Sequence, residues 1–192
     1  MKKILIFISI FIGIISNSNS EDINRIVVGN KDAKITIIAF ESLTCSHCAN
    51  FHKDVFPELK KEFLDTGLAK IEFRHFPLDI AAFNASKVSQ CNNDGDSKIL
   101  NSFYANQQKW VKGSSVQEAN ENLKKFLVSE GYNVDFEKCI NDKEIEDFVL
   151  NDRIDAVKKY KISSTPTIII NDEKFEKTLN YKNLKKALEK LI

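Results

Sequence analysis

Residues 35–63 decide the fold, and they read ITIIAFESLTCSHCANFHKDVFPELKKEF. The opening run, Ile35–Phe40, is apolar and rich in β-branched side chains, which predicts a buried strand. Apolar side chains then recur at every fourth position, which predicts the buried face of a helix. They are Phe51, Val55, Leu59 and Phe63. Cys45 and Cys48 stand between strand and helix, and Pro57 predicts a kink near residues 53–57 because it lacks a backbone N–H.

The two cysteines stand where a strand passes into a helix. Unpaired backbone N–H groups and the helix dipole favour an anion at that point, so we expect Cys45 to be a stabilised thiolate with a pKa below 6. His47 adds a possible imidazolium beside that sulfur, and Ser46 fills the other position between the cysteines. Cys48, one turn further into the helix, is then the shielded resolving thiol. This pattern predicts thiol–disulfide exchange with Cys45 and Cys48 as the catalytic pair.

Further strands are predicted on both sides of this unit by short β-branched runs and turn residues. They are Ile26–Val28, Ala69–Phe73, Thr167–Ile170 and Lys174–Phe175. The chain closes with an amphipathic helix over Tyr181–Ile192. These elements predict an α/β fold with a mixed sheet.

The middle of the chain has helical periodicity and no strand signal. Four helices are predicted there, at Ala81–Gln90, Ile99–Trp110, Val116–Glu130 and Lys143–Tyr160. We therefore interpret residues 81–160 as a helical insertion into one domain made of residues 21–80 and 161–192.

Composition limits the classes of function. A chain of 192 residues with 43% hydrophobic residues is long enough for one domain with a real core. Its 28 Lys and Arg residues nearly balance 27 Asp and Glu residues, giving a formal charge of +1. No basic face large enough to follow a phosphate backbone stands out, so nucleic acid is not an expected partner.

The N-terminus has the layout of a signal peptide. Lys2 and Lys3 precede the apolar run Ile4–Ile15, and a small polar stretch, residues 16–20, follows. The apolar run is shorter than the roughly 20 residues that span a bilayer. We predict cleavage after Ser20 and action in the periplasm, with an uncleaved anchor that faces the periplasm as the alternative.

If the protein is exported, its four cysteines are expected to form disulfides, because disulfides persist in oxidising compartments. Four cysteines allow three pairings. The favoured one joins Cys45 to Cys48 locally and leaves Cys91 and Cys139 to pair with each other or remain free. We expect a structural disulfide between Cys91 and Cys139.

Several segments together resemble the DsbA-like branch of the thioredoxin superfamily. They are residues 41–48 with 51–52, residues 73–79, residues 103–107 with Trp110, and residues 165–167. The resemblance covers nearly the whole mature chain. It implies a thioredoxin-like fold with a helical insertion, in which Thr165 and a cis Pro166 form part of the substrate groove beside Cys45. It also implies that Cys91 and Cys139 are the second cysteine pair that some members carry.

The chain departs from this family at two places. Members commonly have proline where this chain has Ser46, a change that alters the redox poise. Relatives also place a buried carboxylate six residues before the first cysteine, where this chain has Ala39. We expect the nearest acid, Glu41, to lie on the other side of the strand, which leaves the proton acceptor for Cys48 open. His52 and His75 are interpreted as packing residues.

The function predicted from these features is a protein disulfide oxidoreductase that donates the Cys45–Cys48 disulfide to reduced, newly exported proteins. The resemblance implies reoxidation by a membrane quinone-linked protein, and we expect a monomer without metal or cofactor. Thr165 also occurs in isomerase branches, so a disulfide isomerase or reductase is an alternative. A non-catalytic metal-binding or chaperone-like module on the same fold is the alternative from another class.

Overall fold

The structure is a computed structural model, and it describes residues 23–91, 93, 95 and 98–192. The predicted signal peptide, residues 1–20, lies outside the described residues. Across the described ranges, no helix is both long and apolar enough to cross a membrane.

A five-stranded mixed sheet forms the centre of the fold. Its strands are β1 (Ile26–Gly29), β2 (Ile35–Glu41), β3 (Ala69–His75), β4 (Thr167–Ile170) and β5 (Glu173–Lys174). They lie in the order β1-β3-β2-β4-β5, with β2 and β3 parallel and the other neighbours antiparallel. The prediction of a mixed sheet in an α/β fold is therefore confirmed. β3 extends two residues beyond its predicted end, and β5 begins and ends one residue early.

The helices lie between the strands in sequence and after the last strand. They are α1 (Ser46–Asp54), α2 (Phe56–Leu59), α3 (Ile80–Cys91), α4 (Lys98–Ala105), α5 (Gln107–Trp110), α6 (Val116–Ser129), α7 (Phe136–Asn141), α8 (Lys143–Tyr160) and α9 (Tyr181–Leu188). A π-helical turn, Lys60–Leu64, follows α2. The predicted final helix was too long, since α9 ends at Leu188.

The kink predicted at Pro57 is present as a break in the helix. α1 ends at Asp54, and Val55 separates it from α2, in whose first turn Pro57 lies. A proline in a first helical turn loses no hydrogen bond, because the N–H at that position has no intrahelical partner. The break therefore places Pro57 where its missing donor costs little.

The segment between β3 and β4 contains more helices than the sequence predicted. The predicted helix Ile99–Trp110 is divided at Asn106, which precedes the separate α5. The six-residue α7 was missed entirely; its N-cap is Asp135, whose side chain accepts a hydrogen bond from the Lys138 N–H. A helix of fewer than two turns is too short to show a hydrophobic period, so only its capping residue signalled it.

Both faces of the sheet are covered. One face, which carries Ile37, Ala39, Ile71 and Phe73, packs against α1, α9 and much of the helical segment. The opposite face, which carries Ile38, Phe40 and Ile169, packs against Ala156 of α8 and Ile162. Side chains alternate between the two faces along each strand, so within β4 Ile169 lies on the opposite face from Ile168 and Ile170.

Candidate active site

Cys45 lies at the N-cap of α1, immediately after the turn that follows β2. Its backbone is extended, with φ −78° and ψ 119°, and its carbonyl accepts a hydrogen bond from the Ala49 N–H at 3.2 Å. Cys45 is partly exposed, whereas Cys48 is fully buried, and neither forms a disulfide in this structure. The helix thus presents one sulfur at the surface and holds the other beneath it.

The pKa values of the two thiols are shifted in opposite directions. The pKa of Cys45 is lowered from 9.0 to about 5, chiefly by a hydrogen bond from the Cys48 thiol, against the opposing effect of burial. The Thr165 side chain and the backbone N–H groups of Cys48 and His47 lower it further. Burial raises the pKa of the Cys48 thiol, and the hydrogen bond with Cys45 and the negative charge of Glu41 raise it further.

His47 was predicted to act through its imidazolium. It contributes here through its backbone N–H, and the His47 and Ser46 side chains are exposed beside Cys45.

The loop before β4 brings the distant proline motif to the cysteines. The Thr165–Pro166 peptide bond is cis, as predicted, and the Thr165 carbonyl oxygen lies 3.5 Å from the Cys45 sulfur. A groove of about 550 Å³ opens beside them, and its walls include His47, Phe51 and Tyr181. Cys45 therefore lies at one edge of a mainly apolar groove.

A buried polar pair lies behind Cys48. His52 donates a hydrogen bond from Nε2 to Glu41 Oε2 at 2.8 Å, and the His52 and Glu41 side chains are 6% and 3% exposed. The ring of Tyr104 stacks on the His52 ring, with centroids 4.0 Å apart.

The expectation for Glu41 was wrong. Ala39 and Glu41 are two residues apart on β2, so their side chains point to the same face of the sheet, the face that packs against α1. Glu41 therefore lies on the side of Cys48. His52 follows Cys48 by four residues and so occupies the same face of α1. The sequence could have predicted the position of both residues, from this four-residue spacing in the helix and from the two-residue spacing of Ala39 and Glu41 in the strand.

α5 is tied to the turn that carries Cys45. Gln107 donates from Nε2 to the Leu43 carbonyl at 2.7 Å and to the Cys45 carbonyl at 3.0 Å. Gln107 lies in one of the segments that resemble the family, but no role for it was predicted from the sequence. The side chain of Thr44, in the same turn, donates to Asp79 Oδ2 at 2.7 Å.

Comparison with known proteins identifies the family. A family model described as thioredoxin matches residues 21–190. The crystal structure of alpha-DsbA1 from Wolbachia pipientis is 30% identical and superposes with a TM-score of 0.78, covering 88% of this chain and 90% of that one. This chain belongs to the DsbA-like family of the thioredoxin superfamily.

Relatives of this DsbA-like chain carry names that agree with that family. A Rickettsia bellii protein named for protein-disulfide oxidoreductase activity is 29% identical over 89% of this chain and 66% of its own length. Disulfide bond formation protein D of Bacillus subtilis is 27% identical over 85% of this chain and 75% of its own length. This chain spans 54–66% of the length of the Rickettsia relatives that it matches.

The second cysteine pair of this DsbA-like chain lies away from the groove. Cys91, at the end of α3, forms a disulfide with Cys139 of α7, with 5.6 Å between their Cα atoms. Next to it in the fold, buried His75 approaches Gln90 Oε1 at 3.4 Å, and burial lowers the pKa of the His75 imidazole. The disulfide joins α3 to α7 within the helical segment, and the His75–Gln90 contact joins β3 to α3.

Proposed function

We propose that this protein, in its oxidised form, donates the Cys45–Cys48 disulfide to cysteine pairs of newly translocated proteins. The proposal depends on the difference in pKa between the two cysteines. Cys45 is partly exposed and has a pKa of about 5, whereas Cys48 is buried and its pKa is raised. An acidic exposed thiol is a good leaving group and stabilises the reduced form, so the disulfide is readily given away.

The exchange proceeds in two displacements. A substrate thiolate attacks the Cys45 sulfur, the Cys45–Cys48 bond breaks, and Cys48 leaves and takes up a proton. The second substrate thiolate then attacks the substrate sulfur of the mixed disulfide, and Cys45 leaves as a thiolate. The substrate gains a disulfide and loses two electrons, which the Cys45/Cys48 pair holds.

The groove suits an extended peptide substrate. Its apolar walls accept side chains, and the Thr165 carbonyl oxygen lies at its edge, where it can accept a hydrogen bond from a substrate backbone. In this proposal Thr165 and Pro166 hold the substrate while Ser46 and His47 tune the reactive sulfur.

The cellular setting belongs to the same proposal. The signal-like residues 1–20 support export, and the names of the relatives support action on the disulfides of proteins. The protein then acts in the periplasm as a monomer on reduced, cysteine-containing exported proteins. A membrane quinone-linked protein would reoxidise it by accepting the two electrons.

The proposal is tested by the equilibrium potential of Cys45/Cys48 in glutathione buffers, with reoxidation of a reduced model protein as the assay of activity. We expect a potential more positive than about −180 mV, the value typical of protein disulfide isomerase. A potential near about −270 mV, as in thioredoxin, would identify a reductase instead. The Cys91→Ala, Cys139→Ala variant is the matched control, because it removes cysteines that lie outside the site.

A further inference from the structure

The groove beside Cys45 is mainly apolar, but its wall carries one carboxylate, that of Asp54. Among the described residues that line the groove, no lysine or arginine balances this charge. Asp54 is exposed, and it forms no hydrogen bond or ion pair within the part of the chain that the structure describes. The carboxylate is thus available to a substrate that lies in the groove.

The position of Asp54 is unfavourable for α1 itself. Asp54 is the last residue of that helix. The carbonyl groups at a helix C-terminus carry partial negative charge, so an acid there lowers the stability of the helix, whereas a base would raise it. The neighbouring Lys53 lines a different cavity, between α1 and α4, together with His52 and Tyr104. A residue that departs from such a local rule points to a role in function.

Asp54 continues a line of side chains that begins next to Cys45. His47, Phe51 and Asp54 are spaced by four and three residues, so they lie along one face of α1, and all three line the groove. Asp54 is nine positions after Cys45. This separation corresponds to about 13 Å along the helix, since each residue adds about 1.5 Å. The groove therefore follows α1 from the reactive sulfur to the carboxylate.

An extended peptide in this groove would reach Asp54 at a defined position. Consecutive residues of an extended chain are about 3.3 Å apart, so about 13 Å corresponds to about four residues. Side chains alternate between the two sides of such a chain, and the fourth residue from a cysteine points to the same side as the cysteine. That side chain would face Asp54 while the substrate cysteine reacts with Cys45.

Negative charge continues beyond Asp54. Burial raises the pKa of the Tyr181 phenol, which also lines the groove, and the carboxylates of Glu62 and Glu58 raise it further. Lys185 forms an ion pair with Glu62 and offsets the charge of that residue. Glu58, one turn after Asp54, is exposed and has no ion pair among the described residues. This end of the groove therefore favours a cation.

We propose that Asp54 makes the protein prefer substrates with a lysine or arginine about four residues from the reacting cysteine. This inference rests on the proposed disulfide donation and adds a charge preference to the apolar groove. The cationic side chain pairs with the Asp54 carboxylate before the substrate thiolate attacks the Cys45 sulfur. Arginine suits the site in particular, because its guanidinium can donate two hydrogen bonds to one carboxylate.

The test uses the oxidised protein and short peptides that each contain one cysteine. The peptides carry lysine or glutamine four residues before the cysteine, or four residues after it. Two peptide thiols reduce one Cys45–Cys48 disulfide and form a peptide dimer. Acid quenching followed by mass spectrometry therefore gives the rate at which reduced protein forms. For each direction, the rate of the lysine peptide is divided by the rate of the glutamine peptide.

This ratio is compared between variants, because a lysine also changes the reactivity of a nearby thiol, and the comparison cancels that effect. In Asp54→Asn we expect the ratio for one direction to fall by about two- to fivefold, the contribution of one exposed ion pair. In Asp54→Lys it should fall further. In the wild type it should decrease at about 1 M salt, where the Debye length is about 3 Å.

Asp155→Asn is the matched control. It removes the same charge from an exposed position on α8, the helix that packs against the other face of the sheet, so it should keep the wild-type ratio. Equal ratios for the wild type and Asp54→Asn, in both directions, would overturn the inference. Urea unfolding shows that the variant is folded, and its free energy of unfolding should equal or exceed that of the wild type.

The same rates distinguish failure of this inference from failure of the proposed function. If the wild type is reduced by none of the peptides, disulfide donation to peptide thiols is refuted, and the preference is refuted with it. If the wild type oxidises the lysine and glutamine peptides with a ratio that Asp54→Asn leaves unchanged, disulfide donation stands and only the role of Asp54 is refuted.

Discussion

At the scale of single residues, the two sulfurs have different protonation states when the pair is reduced. Between pH 5 and pH 8, Cys45 is a thiolate and Cys48 a thiol, so reduction of the disulfide takes up one proton. Below pH 5 Cys45 is protonated too, and reduction takes up two. The stabilisation that the thiolate gives the reduced form is therefore lost as the pH falls through about 5.

This protonation pattern predicts a break in the pH dependence of the potential. We expect a slope of about 30 mV per pH unit above pH 5 and about 59 mV below it, because each proton in a two-electron couple contributes about 30 mV. Equilibration of the protein with glutathione buffers from pH 4 to pH 8 measures both slopes. A slope of about 59 mV throughout would mean that Cys45 is an ordinary thiol.

A second prediction at this scale concerns Thr165. Thr165→Val keeps the shape of the side chain but removes the hydroxyl, which helps to lower the pKa of Cys45. We expect the pKa of Cys45 to rise and the potential to become more negative. Thiolate absorbance of the reduced protein as a function of pH measures the shift.

His47→Ala serves as the comparison, since alanine keeps the backbone N–H through which His47 acts. A larger shift in His47→Ala than in Thr165→Val would show that the imidazole, as first predicted from the sequence, dominates.

At the scale of elements, α5 contacts the turn that carries Cys45 through one side chain, that of Gln107. We expect Gln107→Ala to lower the free energy of unfolding by about 1–3 kcal/mol, because it removes the hydrogen bonds that Gln107 donates to the Leu43 and Cys45 carbonyls. Urea unfolding measures the loss. Gln108→Ala, at the exposed neighbouring position, is the matched control and should stay within about 0.5 kcal/mol of the wild type.

The elements also show how far the sequence could be interpreted. Residues 35–63 combine a long apolar strand with a four-residue helical repeat, and both were predicted where they occur. α7 was missed because six residues, fewer than two helical turns, are too few to show a hydrophobic period. The role of Gln107 was missed because its partners are backbone carbonyls of another element, which no sequence pattern records. Glu41 was predicted to lie on the wrong face of β2. Side chains two residues apart in a strand point to the same face, so Glu41 could have been assigned to the face of Ala39 from the sequence.

At the scale of the whole molecule, the Cys91–Cys139 disulfide closes a long loop within the helical segment. Its cysteines are 48 residues apart, and in the chain-entropy model such a loop contributes about 4 kcal/mol to stability. We expect Cys91→Ala with Cys139→Ala to melt at a lower temperature while oxidase activity stays within about threefold of the wild type. Calorimetry and the model-protein assay measure the two quantities. Loss of activity in a folded variant would give this disulfide a part in turnover.

The contact between Cys45 and Thr165 joins residues that are 120 positions apart in the chain. A chain in which the segment before β4 has not yet docked lacks this contact, and with it one of the interactions that lower the pKa of Cys45 to about 5. The contributions of Cys48 and His47 come from the same turn and need no distant partner. The full reactivity of Cys45 is therefore reached only when the parts of the chain on both sides of the helical segment have folded together.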